Sequence, residues 1–130
     1  MIFDPKKSSS VVINIKQNRF VFLGKNSFFV FDSDKEAGFV NFRRQISAEF
    51  EKCTAIAKLS ETEVVIGHEN GLIRIWRIPE NEKEEIEKVA EWQTGNANLQ
   101  ITAIDADATE RKVVSGDNKA NLFLKQVFKN

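Results

Sequence analysis

One thiol and one imidazole, Cys53 and His68, are the chain's whole supply of soft nucleophile and titratable ring base. Together they would suit a cysteine–histidine dyad, in which the imidazole takes the thiol proton. Such a dyad needs a third group to orient the base, and the sequence supplies none. One His and one Cys cannot complete a tetrahedral metal site. Ser115 stands in Val114-Ser115-Gly116 and lacks the G-x-S-x-G frame of a nucleophile elbow. No glycine-rich phosphate loop is present. The sequence therefore predicts no enzyme, no cofactor and no bound metal. Cys53 is expected to be a small buried residue at the start of a strand, and His68 a solvated turn residue.

Carboxylates are dense at Glu80, Glu82, Glu84, Glu85 and Glu87, interleaved with Lys83 and Lys88. Glu84 and Lys88 would pair at i, i+4 if this stretch made a helical turn. It reads as a solvated excursion between two strands. Its functional alternative is an acidic contact loop for a basic partner.

The chain has 130 residues, one domain's worth, with 42% hydrophobic residues to build a core. Nineteen basic and nineteen acidic side chains cancel, which argues against chain-wide attraction to nucleic acid or anionic membrane. No apolar run approaches the roughly 20 residues that span a bilayer. Met1 to Ser10 has no apolar signal region. A single cysteine excludes an internal disulfide and suits a reducing compartment, so an intracellular site, cytoplasmic or nuclear, is expected. Eleven Phe and no Tyr point to space-filling aromatics, and Phe20, Phe22, Phe29 and Phe31 are expected in the core.

The elements around these residues are short strands. Glu63 to Ile66 is apolar, His68-Glu69-Asn70-Gly71 is a polar turn with an Asn-Gly pair, and the next residues alternate. Asn-Gly favours a hairpin because both residues tolerate φ > 0. Ile73 and Ile75 fall on the apolar face, with Trp76 near the strand's end. The unit recurs. Thr54-Ala55-Ile56 precedes it, and Thr102-Ala103-Ile104 precedes Lys112 to Gly116. Asp117 to Val127 is a degenerate second hairpin, with Leu122 and Leu124 matching Ile73 and Ile75, Ala120 replacing Gly71 and Lys125 replacing Trp76. A weaker copy spans Val11 to Asp32. Gly24, Gly67 and Gly116 are spaced 43 and 49 residues apart. Fourth strands fit at Phe39 to Ile46 and Glu87 to Gln93. About eleven strands in a repeated order result. An ordinary small β-barrel or β-sandwich is the alternative, since short strands with turns mark those folds too.

The string GHENGLIRIWRI resembles the b–turn–c segment of a WD repeat, whose blades are about 40–45 residues long. The resemblance implies an all-β, WD40-like partial propeller of four-stranded antiparallel blades, with approximate blades at 11–50, 53–93 and 101–128. In that family a tetrad links a strand-c Trp, a strand-b Ser or Thr, a turn Asp and a His before strand a. Trp76 matches the Trp, and Asn70 stands for the turn Asp. Ile66 and Ser115 occupy the strand-b position. No Gly-His precedes a first strand, and Trp76-Arg77 replaces Trp-Asp. Blades here must lean on apolar packing, with Trp76, Ile73, Ile75, Phe29, Phe31, Leu122 and Leu124 as structural core.

The resemblance further implies a non-catalytic scaffold or adaptor that binds proteins. Its contacts would come from the b–c loops, at Lys25, Asn26, Ser27, His68, Glu69, Asn70, Asp117, Asn118 and Lys119. The d–a loops, Glu49 to Lys52 and Thr94 to Gln100, would join them. A reader of short peptides through the channel is a second reading, and a barrel holding an apolar ligand a third. Propellers have about 4–8 blades. Three blades would expose two apolar faces and open strand edges, so a partner chain, self-association or further blades are expected to complete the ring. Met1-Ile2-Phe3 is a candidate for an added strand.

Overall fold

The computed structural model describes residues 11–34, 39–47, 51–81 and 83–128. Eleven strands run through them: β1 (Val11–Lys16), β2 (Arg19–Leu23), β3 (Ser27–Asp34), β4 (Phe39–Ser47), β5 (Cys53–Ser60) and β6 (Glu63–His68), followed by β7 (Leu72–Arg77), β8 (Glu87–Gln93), β9 (Ile101–Asp107), β10 (Lys112–Asp117) and β11 (Leu122–Gln126). No helix occurs among the described residues. The strands form three antiparallel meanders, β1-β2-β3-β4, β5-β6-β7-β8 and β11-β10-β9. The expected ladders are present: Val65 pairs with Ile75, and Val114 with Leu124. Met1 to Phe3, Glu49, Phe50 and Glu82 lie outside the described residues.

Period-two alternation decides which face of each sheet meets its neighbour. Val21, Leu23, Phe28 and Val30 of the first sheet pack against Cys53, Val64, Ile66 and Ile78 of the second. Ala55, Leu59, Val65, Ile73 and Ile75, on the second sheet's other face, pack against Ile101, Val113 and Val127. The leading strands approach one another most closely, β5 lying beside both β1 and β9. The sheets are thus stacked face to face around their first strands.

The hairpin registers align the three copies. Leu23, Gly67 and Gly116 pair with Phe28, Ile73 and Leu122 respectively. Gly24 is therefore not the counterpart of Gly67 and Gly116. It lies one residue later, in the turn, where its N–H donates to the Ser27 carbonyl at 2.8 Å. Gly67 does steric work: a Cβ there would sit 2.6 Å from Cγ2 of Ile101 in the third sheet. Its missing side chain sets how closely those sheets approach.

Several core expectations need correction. Ile73 and Ile75 are fully buried, but Leu122 and Leu124 are 76% and 66% exposed. They lie on the third sheet's outer face, with no fourth sheet over them among the described residues. Phe29 and Phe31 are half-buried, because alternation turns them away from the second sheet while Phe28 and Val30 point towards it. Trp76 is half-buried and bridges sheets, its ring 5.5 Å from that of Phe28.

Two arginines fasten sheet to sheet. Arg19 is buried; it reaches Asp32 at 3.0 Å and donates to the Pro79 carbonyl at 2.9 Å and the Glu80 carbonyl at 3.2 Å. Arg111 grips Glu63 through two bonds of 2.9 Å. The described residues of the charged insertion make no helix. Glu84 approaches Arg77 at 4.0 Å, and Lys88 reaches Glu91 at 3.3 Å.

Candidate protein-interaction surface

The b–c turns and d–a connections meet at one end of the stack, joined by backbone hydrogen bonds. The Cys53 N–H donates to Lys25 at 2.7 Å, that of Glu69 to Lys52 at 3.1 Å, that of Thr94 to Gly71 at 3.0 Å, and that of Asn118 to Gln100 at 3.1 Å. Each turn is thereby held against a connecting segment, and the Lys25 turn against the first residue of the neighbouring sheet. Loops fixed on a rigid strand scaffold keep their shape, which favours recognition.

Local chemistry explains the turns. Gly71 has φ +79°, a left-handed conformation, and Asn70 Oδ1 accepts from the Leu72 N–H at 3.3 Å. In the third sheet Ala120 takes φ +63° without glycine's freedom. Asp117 stabilises that turn by accepting from Lys119 N, Asn121 N and Asn121 Nδ2, each at 3.0 Å. Burial pushes the Asp117 carboxyl up, but these donors hold it below its usual value. Asp117 is 5% exposed, so it shapes the loop from inside. Lys25, Asn26, Asn118 and Lys119 are exposed, and Glu69 and Asn70 are half-buried. The exposed rim is rich in amides: Asn26, Asn96, Asn98, Gln100 and Asn118.

His68 departs most from expectation. It ends β6 and is 1% exposed, not a solvated turn residue. Its Nε2 faces Arg74 Nη1 at 3.5 Å; since arginine can only donate, Nε2 is the acceptor and the proton sits on Nδ1. Nδ1 makes no hydrogen bond of good geometry. Arg74 is held by both Glu51 oxygens at 3.2 Å and by Glu91 at 2.6 Å. Burial, then the Arg74 charge, pull the His68 pKa down to about 4, against the weaker opposing influence of Glu51, the Lys52 backbone and Glu91. The Arg74 bond holds Glu51 and Glu91 below the usual carboxylate range. Arg74 reads from sequence as the polar side of β7; its glutamate partners are too distant in sequence to be foreseen.

Register brings Cys53 opposite His68 in the β5–β6 ladder. Burial pushes the Cys53 thiol up to about 11. A nucleophilic pair needs a depressed thiol and a basic imidazole. This pair is tuned the other way on both counts, and the imidazole is engaged by Arg74. Among the described residues no group of three His, Cys, Asp or Glu side chains is placed to hold a metal ion. Among the described residues no helix is long and apolar enough to cross a membrane.

Three stacked antiparallel meanders with their leading strands innermost also occur in solved structures. The C-terminal WD40 domain of Sif2 superposes with a TM-score of 0.75 at 9% identity, over 95% of this chain and 35% of that one. The fold is that of WD40 β-propeller blades. The β-propeller domain of Cps50 (Swd1) from Myceliophteria thermophila gives a TM-score of 0.67 at 7% identity, over 85% of this chain. The three sheets are about three blades, and the chain spans only 35% of each of these structures. No family model matches the sequence, and no curated protein matches it. With identity this low the likeness lies in blade geometry alone.

Proposed function

We propose that this protein is a non-catalytic interaction module, a scaffold or adaptor that holds a protein partner on the end bearing its b–c and d–a loops. The observation that carries this reading is the set of backbone hydrogen bonds that pins each b–c turn, from Lys25 to Asn118, to a connecting segment at the same end of the stack. Its exposed amides offer both donors and acceptors, which suits the backbone of an extended, polar peptide segment. Asn26, Asn118 and Lys119 would make contact, while His68, Arg74 and Asp117 hold the loops from beneath. The inverted tuning of Cys53 and His68 supports a role without catalysis. The buried lone thiol suits a reducing compartment, and we place the protein inside the cell.

The test is site-specific photo-crosslinking in cells. A crosslinker at Asn26 or Asn118 should capture a discrete protein partner; one at Ala108, beyond the opposite end of β9, should not. Equal capture from both ends, or from neither, overturns the reading.

A further inference from the structure

Asn70 is the one asparagine of the chain that is followed by glycine. The pair sits in the b–c turn of blade 2, between β6 and β7. An asparagine side chain can react with its own backbone. The amide nitrogen of the next residue attacks Cγ, and a five-membered succinimide ring forms as ammonia leaves. A Cβ on that next residue hinders the approach, and Gly71 has none. The turn supplies two further conditions. Asn70 Oδ1 accepts from the Leu72 N–H at 3.3 Å. That donor faces the oxygen on which negative charge grows as Cγ is attacked, the arrangement that stabilises an oxyanion. Asn70 is only half-buried, so solvent reaches the ring once it forms. One contact opposes the attack. The Gly71 N–H donates to the His68 carbonyl at 3.2 Å, and this long bond is given up as the proton leaves.

We propose that Asn70 is a site of spontaneous deamidation that reshapes the turn of blade 2. The Gly71 nitrogen bonds to Asn70 Cγ and gives its proton to solvent base. The Cγ–Nδ2 bond breaks, and Nδ2 takes a proton from solvent and leaves as ammonia. Water then opens the succinimide at one of its two carbonyls and returns a proton to the Gly71 nitrogen. No oxidant or metal is required. Opening at the backbone carbonyl gives isoaspartate, whose main chain runs on through Cβ and Cγ. The oxygen that accepts from Gln93 Nε2 at 2.8 Å becomes part of a free carboxylate. The added backbone atom displaces the Gly71 carbonyl from Thr94, whose N–H and hydroxyl donate to it at 3.0 Å and 2.8 Å before reaction. Thr94 is buried, so solvent does not replace those bonds. The b–c turn is thereby unfastened from the d–a connection. Opening at the former side-chain carbonyl leaves an ordinary aspartate next to Glu69. Both products add a negative charge to the loop surface proposed above, but the chemistry rests on the turn alone and not on that reading.

The experiment is incubation of the full, folded chain in water carrying heavy oxygen at mildly alkaline pH, followed by mass-spectrometric mapping of its peptides. Label should enter at Asn70 before any other asparagine, chiefly as isoaspartate that an isoaspartyl methyltransferase accepts. The rate should rise in proportion to hydroxide, since Gly71 must lose a proton. It should be no lower than in the same chain unfolded in urea, since the Leu72 N–H assists. Gly71→Ala should slow labelling by roughly tenfold to a hundredfold, the usual cost of hindering an aligned intramolecular attack. Ala120 already holds the same kind of turn position in blade 3, and the added Cβ meets only the mobile end of Gln93 closer than 3.0 Å. Asn70→Gln is the second variant; its longer side chain keeps the amide and should stay unlabelled. Hydrogen exchange at the Thr94 amide should be faster in the isoaspartyl fraction than in unreacted chain. An amide at Asn70 that survives in the folded chain while the urea-unfolded chain loses it would overturn the site. So would label arriving as early at Asn26 or Asn118, or Asn70→Gln reacting as fast as wild type. Unchanged exchange at Thr94 would overturn the effect on the turn. None of these readouts uses a partner, so failed photo-crosslinking from Asn118 leaves the deamidation standing, and an unreactive Asn70 leaves the interaction surface standing.

Discussion

Leu124 holds in β11 the place that Ile75 holds in β7, yet Ile75 is fully buried and Leu124 is 66% exposed. Identical strand positions have opposite fates because the blade beyond differs. Blade 2 has the third sheet against it, and blade 3 has no further sheet among the described residues. Burial in a stacked-sheet fold belongs to the neighbour as much as to the strand.

Blade spacing depends on Gly67. A methyl group there would meet Ile101 Cγ2 at 2.6 Å and Ile104 Cδ1 at 2.9 Å, forcing blades 2 and 3 apart. Gly67→Ala should destabilise by about 1–3 kcal/mol, the usual range for overpacking. Denaturant unfolding gives the value. Ile101→Ala removes the clashing Cγ2, so the double variant should lose less stability than the two single losses added together, and strictly additive effects would show that the clash is not with Ile101.

Trp76 should matter less than a fully enclosed tryptophan. It rests on Phe28 across the first blade boundary while part of its ring stays in solvent. Trp76→Ala should therefore cost about 2–3 kcal/mol, below the 3–5 kcal/mol usual for buried aromatics. An effect under about 1 kcal/mol would remove it from the blade contact.

The strand order and the apolar alternation of β6 and β7 are legible in the sequence because they are local: a turn signal and a period of two place each residue. What lies across the turn is not. His68 reads as a turn residue, since His-Glu-Asn-Gly is polar, but β6 runs on to His68 and the ring is enclosed with Arg74 beside it. The Glu51 and Glu91 that hold Arg74 come from other segments, and no spacing rule links them. Leu122 and Leu124 show the same limit, since alternation marks a face as apolar without saying what covers it. Asp117 was within reach: an Asp four residues before an Asn, around a turn, is a local side-chain cap. Gly24 falls one residue past the position of Gly67 and Gly116, and the first b–c turn is one residue shorter than the other two.

The strained third turn offers a gain. Ala120 sits at φ +63°, where an L-residue loses about 1–2 kcal/mol relative to the right-handed region. Gly71 at φ +79° shows glycine in the same kind of position one blade earlier. Ala120→Gly should raise stability by about 0.5–1 kcal/mol, the relieved strain being partly offset by glycine's greater freedom in the unfolded chain. Thermal unfolding of the single variant measures it; a lower melting temperature would refute the strain.

His68 should make stability fall between pH 6.5 and about 4. Folded, its pKa is drawn down to about 4 by burial and by Arg74, whereas the unfolded chain titrates near 6.5. In that window the unfolded chain holds more protons than the native one, so stability rises with pH. The contribution is complete above about pH 6.5, shrinks as the unfolded imidazole gains its proton, and is gone below pH 4. A gap of this size corresponds to about 3 kcal/mol as an order of magnitude. Glu51 and Glu91 act lower: their depressed pKa values add stability that is lost only below the ordinary carboxylate value of 4.5. Urea unfolding at closely spaced pH values should therefore show two falls, the first beginning near pH 6.5. His68→Gln keeps an acceptor for Arg74 but cannot titrate, and it should erase the first fall while leaving the second. An unchanged profile in that variant would show that His68 is not the group responsible.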